Sequence, residues 1–333
     1  MNTRPERSKT VPKAVLVTEN GGPEVLRHTE VDERSPGPGE VLVAVAAAGV
    51  NFIDTYQRSG LYPIPCPFVL GQEGAGTVTA VGDGVTGVAV GDRVAWAGPL
   101  GGYAEQAVVP ATAVVPVPEG VDDETAAAAM LQGLTAHYLV TSTHPVRPGD
   151  TVLVHAAAGG VGLLLVQLAK ARGGRVIATV STEEKANLAR TAGADEVIRY
   201  TEEDFTTRTR DLTGGEGVAA VYDGVGKTTF DGSLSVLRPR GTLALFGASS
   251  GPVPPVDPQR LNHAGSVFLT RPTLAHHIAT PEELRWRTGD LFTAITADTL
   301  DIRIGHRYPL ADAARAHADL EGRRTTGKLL LLP

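Results

Sequence analysis

The run Thr151-Val152-Leu153-Val154-His155-Ala156-Ala157-Ala158-Gly159-Gly160-Val161-Gly162, followed by the largely apolar stretch from Leu163 to Ala169, constrains the fold more than any other part of the chain. It reads as a buried strand, a glycine turn and a helix start, the arrangement that sets a diphosphate on the free amides of a helix N-terminus. Small residues let the backbone approach phosphate oxygens, and Gly162 lets the helix close on the strand. The competing reading is a tight strand-to-helix connection and nothing more. The apolar strand before the turn and the helix after it supply the context that a dinucleotide site requires. Because the turn lies near the middle of a 333-residue chain, a substantial domain must precede it.

Two cores fit this length, and 42% hydrophobic residues argue against extended disorder. The net charge of -7 provides no overall field that favours nucleic acid. Cys66 is the only cysteine, which excludes an internal disulfide framework and any multi-cysteine zinc site. Flanked by prolines, it reads as loop packing rather than a nucleophile. The stretch Met1 to Lys13 is polar, with Arg4 and Arg7 outside any periodic pattern and no apolar leader segment. No apolar run reaches the roughly 20 residues that span a bilayer. The expectation is a soluble cytoplasmic protein without nucleic-acid or membrane partners.

From Ala14 to Pro110, short apolar runs (Ala14 to Val17, Val41 to Ala47, Gly74 to Ala80) alternate with turns such as Gly82-Asp83-Gly84 and Gly91-Asp92. This pattern predicts a compact, mainly β, barrel-like domain. Alanine and leucine take over between Asp122 and Leu139, and Met130 to Leu139 is predicted as a helix bridging two domains. Beyond the glycine turn, strands are predicted at 175–180, 196–199, 219–223 and 241–246. Helices are predicted at 183–192, 203–212 and 227–237. Strands separated by helices define an α/β protein with a doubly wound parallel sheet. A helix over 281–297 and a last strand, Gly327 to Leu331, are predicted to return to the first domain.

The second strand of that sheet ends at Ser181 and Thr182, with Lys185 just beyond. A carboxylate about 20 positions after the turn would hold the free ribose hydroxyls of NAD. None stands at this strand tip. Hydroxyls and an ammonium group suit a ribose 2'-phosphate, which makes NADP the predicted cofactor. Ser181 has a second reading as a helix cap with Glu184 closing a capping box, and Lys185 one as a solvated helix residue. Glu183 and Glu184 weigh against a phosphate site. Tyr200 follows the third strand and reads either as a contact at the adenosine end or as amphipathic surface. Asp223-Gly224-Val225-Gly226 and Phe246-Gly247-Ala248-Ser249 end later strands, where open α/β sheets hold their ligands.

Polar residues crowd the segment Gly49 to Gly60 immediately after an apolar strand. Asn51 can orient an oxygen or a nicotinamide group, Asp54 can fix neighbouring donors, and Tyr56 can donate a hydrogen bond or a proton. The alternative is a helix cap with Tyr56 packed beneath it. Few aromatic residues fall in the cleft-forming segments, which suggests no large stacking platform unless separated residues converge in the fold.

The stretch Asn51 to Gly60, the run Pro67-Phe68-Val69-Leu70-Gly71-Gln72-Glu73-Gly74-Ala75-Gly76, the turn from Ala156 to Gly162 and Thr270-Arg271-Pro272 occur in one order. Together they resemble the NADPH quinone oxidoreductases, the zinc-independent, zeta-crystallin-like branch of the medium-chain dehydrogenase/reductase superfamily, from Ala14 to Leu332. The resemblance implies a GroES-like catalytic domain at 1–131 and a Rossmann NADP-binding domain at 132–274. It further implies that a return at 275–333 completes the catalytic domain and that the assembly is a homodimer. It implies that Asn51 and Tyr56 border the nicotinamide cleft, with Gln132 and Thr135 nearby. Ala158, Gly159, Gly160 and Val161 form the diphosphate turn with Gly162, while Ser181, Lys185 and Tyr200 serve the adenosine phosphate. Phe246, Ser249, Leu269 and Thr270 lie near the cofactor, and Lys328 reaches back from the C-terminus.

In zinc-dependent relatives the metal-binding cysteine falls near Asn51, and the histidine of their Gly-His-Glu pattern is Gln72 here. Glu73 remains and reads as a buried ion pair or backbone anchor, so no metal site is expected. The implied reaction is hydride or electron transfer from NADPH to a quinone, with Asn51, Tyr56 and Asp54 as its catalytic candidates. An enone or alkenal reductase is the alternative within enzymes. A non-catalytic nucleotide-binding structural or regulatory protein is the alternative outside them.

Overall fold

The computed structural model describes residues 11–333; Arg4, Arg7 and most of the polar N-terminal stretch lie outside the described residues. Six parallel strands form the nucleotide-type sheet, in the spatial order Glu196–Arg199, Arg175–Val180, Thr151–Val154, Val218–Asp223, Leu237–Leu245 and Phe268–Thr270. In chain order these are the third, second, first, fourth, fifth and sixth strands, the doubly wound order whose crevice opens beside the first strand. Fully buried strands such as Val218–Asp223 carry apolar residues on both faces because helices cover both sides.

The other large sheet is mainly antiparallel and contains Glu40–Val50, Glu73–Val81, Arg93–Ala97 and Val114–Pro116. The last strand of the chain, Lys328–Leu332, joins it beside Glu40–Val50, pairing Leu329 with Val50 and Leu331 with Ala48. That register carries Lys328 one step past Val50, opposite Asn51. The C-terminal strand therefore belongs to the first sheet.

Helix Asp123–Tyr138 lies between the antiparallel sheet and the helix after the glycine turn. Asp122 caps it, accepting from the Thr125 amide at 2.6 Å. It begins seven residues before the predicted Met130, because Ala126 to Ala129 are buried on all sides and carry no one-sided period. The strand Leu237–Leu245 likewise starts earlier than predicted, its first half masked in the sequence by Arg238, Pro239 and Arg240. Among the described residues no helix is long and apolar enough to cross a membrane.

Candidate active site

A cleft of about 910 Å³ runs between the two sheets, and the glycine turn forms part of its floor. Helix Gly160–Ala171 starts there, so its first-turn amides have no carbonyl ahead of them in the helix and face the cleft. Gly162 is where a side chain is least possible: a Cβ would lie 2.7 Å from the Ala157 Cα and meet the Ala156 carbonyl oxygen. The C-terminal return docks on the turn, the Gly327 amide donating to the Ala158 carbonyl at 3.1 Å.

At one end, Ser181, Lys185, Tyr200 and Arg323 share the wall. Lys185 Nζ donates to the Arg323 carbonyl oxygen at 2.9 Å. Burial first, then the Arg323 charge, push Lys185 below its ordinary value. Neither cation has an ion-pair partner among the described residues. Two adjacent cations left unanswered fit an incoming phosphate. Thr182, not Ser181, caps the following helix by accepting from the Lys185 amide at 3.3 Å, which corrects the reading of Ser181 as the cap. Glu183 is paired with Arg190 and Arg199.

At the other end, Asn51 caps helix Phe52–Arg58 and Asp54 closes the capping box, accepting from the Asn51 amide at 2.8 Å. Asp54 is wholly buried, also accepts from the Tyr103 hydroxyl at 2.8 Å, and does not reach the cleft. This corrects its place among the catalytic candidates: it fixes the helix that presents Asn51 and Tyr56. Burial raises its carboxyl to about 6, against the Tyr103 and Asn51 hydrogen bonds that lower it. Lys328 is likewise corrected. At 1% exposure it lies behind the cleft wall, its ammonium touching Glu73 and donating to Asn51 Oδ1 at 2.9 Å. Burial drives Lys328 down to about 7, while Asp54 acts in the opposite sense.

Glu73 Oε2 accepts from the Leu131 amide and Glu73 Oε1 from Asn51 Nδ2 at 3.1 Å, the buried ion-paired role expected for it. Asn51 Oδ1 also accepts from Gln132 Nε2 at 3.2 Å. Gln132 Oε1 is left buried without a partner, beside Gly160. An orphaned acceptor on the cleft wall fits a hydroxyl donor such as a ribose. Among the described residues no group of three His, Cys, Asp or Glu side chains is arranged to hold a metal. The amides of Asn51 and Gln72 and the already paired Glu73 are a poor donor set for one.

Tyr56 spans the cleft, its hydroxyl accepting from the Ala248 amide at 3.1 Å, and burial raises its pKa so that the phenol keeps its proton. Tyr62 packs edge-on to it at 5.3 Å and accepts from Arg271 Nη2 at 2.9 Å. Thr135, Phe246 and Ser249 line the same cleft; Leu269 and Thr270 do not. They lie on the sheet-edge strand Phe268–Thr270, next in the chain to the cleft residue Arg271. Phe52, Tyr138 and Phe205 join the tyrosines and Phe246 on the wall, contrary to the expectation of few aromatics. The fold gathers them from segments far apart in the chain.

Sequence reading assigns no site role to Arg323, Arg271, Tyr62 or His155, although Arg271 and His155 stand within the motifs named above. Arg323 sits at φ 56 just past the helix Ala313–Glu321, where no local pattern marks it. His155 is structural, held between Thr179 at 2.9 Å and Ser233 at 3.0 Å, and burial lowers its pKa. Cys66, expected to pack in a loop, is exposed.

The fold and the cleft define a two-domain dehydrogenase: residues 37–119 match the alcohol dehydrogenase GroES-like domain family and residues 160–285 the zinc-binding dehydrogenase family. Similarity over the full length narrows the class. A quinone oxidoreductase of Pseudomonas aeruginosa is 50% identical over 96% of this chain and 99% of its own length. A 2-haloacrylate reductase of Burkholderia is 44% identical over 96% and 98%. A mycobacterial structure solved in complex with NADPH is 59% identical, with a TM-score of 0.94 over 96% of this chain and 100% of that one. The chain belongs to the quinone oxidoreductases, the zeta-crystallin-like branch of the medium-chain dehydrogenases/reductases.

Proposed function

We propose that this chain is an NADPH-dependent reductase of quinones that works without a metal. The observation that carries the reading is that the glycine turn and the Lys185 and Arg323 cations share one cleft with Asn51 and Tyr56. The relative solved with NADPH supports the cofactor, and the quinone oxidoreductases among the relatives support the acceptor.

Bound NADPH supplies the hydride equivalent. The chain's own residues do the rest. The amides of Gly160 to Gly162 would receive the diphosphate, and Lys185, Arg323, Ser181 and Tyr200 would hold the ribose 2'-phosphate. Asn51, held by Lys328 and Glu73, fixes Gln132, whose free Oε1 would accept from a ribose hydroxyl. The aromatic wall excludes water from the acceptor and holds it flat against the nicotinamide side. Tyr56 keeps a proton at its hydroxyl oxygen and donates it to an acceptor oxygen, so that a quinone leaves as hydroquinone after gaining a hydride and a proton.

A second reading, reduction of a conjugated carbonyl or carboxylate compound, rests on the 2-haloacrylate reductase among the relatives. There the hydride reaches the β-carbon and the proton the α-carbon. The homodimer belongs to this same proposal, supported by the unpaired edge strand Phe268–Thr270, whose Phe268 is 61% exposed. Light scattering tests that assembly. The function is tested by following NADPH oxidation with matched quinones and enones and identifying the products. Faster turnover of quinones to hydroquinones is expected. Turnover of enones alone selects the second reading, and stabilisation by NADPH without turnover of either class contradicts both.

A further inference from the structure

The cleft is lined by three cations, Lys185, Arg323 and Arg271, and among the described residues by no carboxylate, although the chain as a whole carries a net charge of -7. Lys185 and Arg323 sit together at the phosphate end. Arg271 lies at the other end with Tyr56 and Tyr62, where no cofactor phosphate needs it. Its backbone is restricted by the following Pro272, and its guanidinium is held by one hydrogen bond to the Tyr62 hydroxyl at 2.9 Å. No ion-pair partner is found for it among the described residues. A guanidinium has five N–H donors in a planar fork that matches a carboxylate. Arg271 is exposed where it borders the cleft, and most of that fork makes no hydrogen bond to the protein.

We propose that Arg271, anchored by Tyr62, is a specificity-determining residue that favours acceptors carrying a carboxylate beside the reducible ring or double bond. This deepens the reductase reading and rests on it. The neutral, apolar wall around Tyr56 and Phe52 takes the reacting π-system, and the guanidinium takes the anion at the mouth.

The test compares a naphthoquinone bearing a short carboxylate side chain with its methyl ester, whose ring has the same reduction potential because the charge is insulated from it. With the unmodified protein and NADPH, kcat/KM for the acid is expected to exceed that for the ester about tenfold at low salt, the scale of one charge-assisted hydrogen bond. The ratio should shrink toward one as ionic strength rises. Arg271→Gln should collapse it, Arg271→Lys should keep part of it, and Tyr62→Phe should give an intermediate value through the loss of the anchor. Equal efficiencies for acid and ester in the unmodified protein overturn the proposal while leaving quinone reduction standing. An acid preference unchanged in Arg271→Gln overturns the assignment to Arg271. Turnover of neither compound overturns the reductase reading with it.

Discussion

Gly49 has no side chain at the point where the Glu73 carboxylate and the Lys328 ammonium meet: a Cβ there would lie 2.6 Å from Lys328 Cε. The pair is buried, and its partners are Asn51 and the Leu131 amide. Removing one charge from such a pair leaves the other uncompensated, at a cost of about 3–5 kcal/mol. Lys328→Met and Glu73→Gln should each be destabilised on that scale in urea unfolding. The double variant should recover much of the loss, because the two sites are coupled. Two small, additive effects would remove the pair as the anchor of Asn51. Asp54 gives a pH signature. Its carboxyl is raised from 3.8 to about 6, so the folded state binds the proton more tightly than the unfolded one. Its contribution is therefore fully present below 3.8 and is lost as pH rises through about 6. Thermal unfolding of the unmodified protein relative to Asp54→Asn should show a relative gain as pH falls across that window. A difference independent of pH would contradict it.

At the scale of elements, the glycine turn makes two different demands on two glycines. A Cβ on Gly162 meets backbone of the same turn, whereas one on Gly160 meets the end of the Gln132 side chain, which can swing away. Gly162→Ala should therefore lower both the unfolding temperature and NADPH affinity, while Gly160→Ala should impair NADPH binding with little change in stability. Differential scanning calorimetry with and without NADPH separates the two, and equal stability loss in both variants would count against this geometry. The strand Arg175–Val180 and the helix beginning at Glu183 were legible because each carries its own period and end signals. The helix Asp123–Tyr138 was only half legible, since a run of alanines buried on every side has no polar face to betray its phase. Asn51 was legible as a helix cap. The capping geometry needed Tyr103, 49 residues from Asp54, to show that Asp54 serves the fold.

Across the whole molecule, what a single sequence reads poorly is convergence. Lys185 was singled out because it follows closely on a strand tip, in the first turn of the next helix, but Arg323 reaches it across 138 residues of chain, and Arg271 meets Tyr62 across 209. Neither spacing leaves a local mark. Their convergence gives an acidic protein a cleft bordered only by positive charge among its described residues, and the account stands or falls on what the Lys185 and Arg323 end recognises. Isothermal titration of NADPH and NADH into the unmodified protein, Lys185→Ala and Arg323→Ala tests this most directly. NADPH should bind about 100-fold more tightly than NADH, and each substitution should weaken NADPH about tenfold while moving NADH by no more than about twofold. Equal affinities for the two nucleotides, or equal losses for both in each variant, would contradict it.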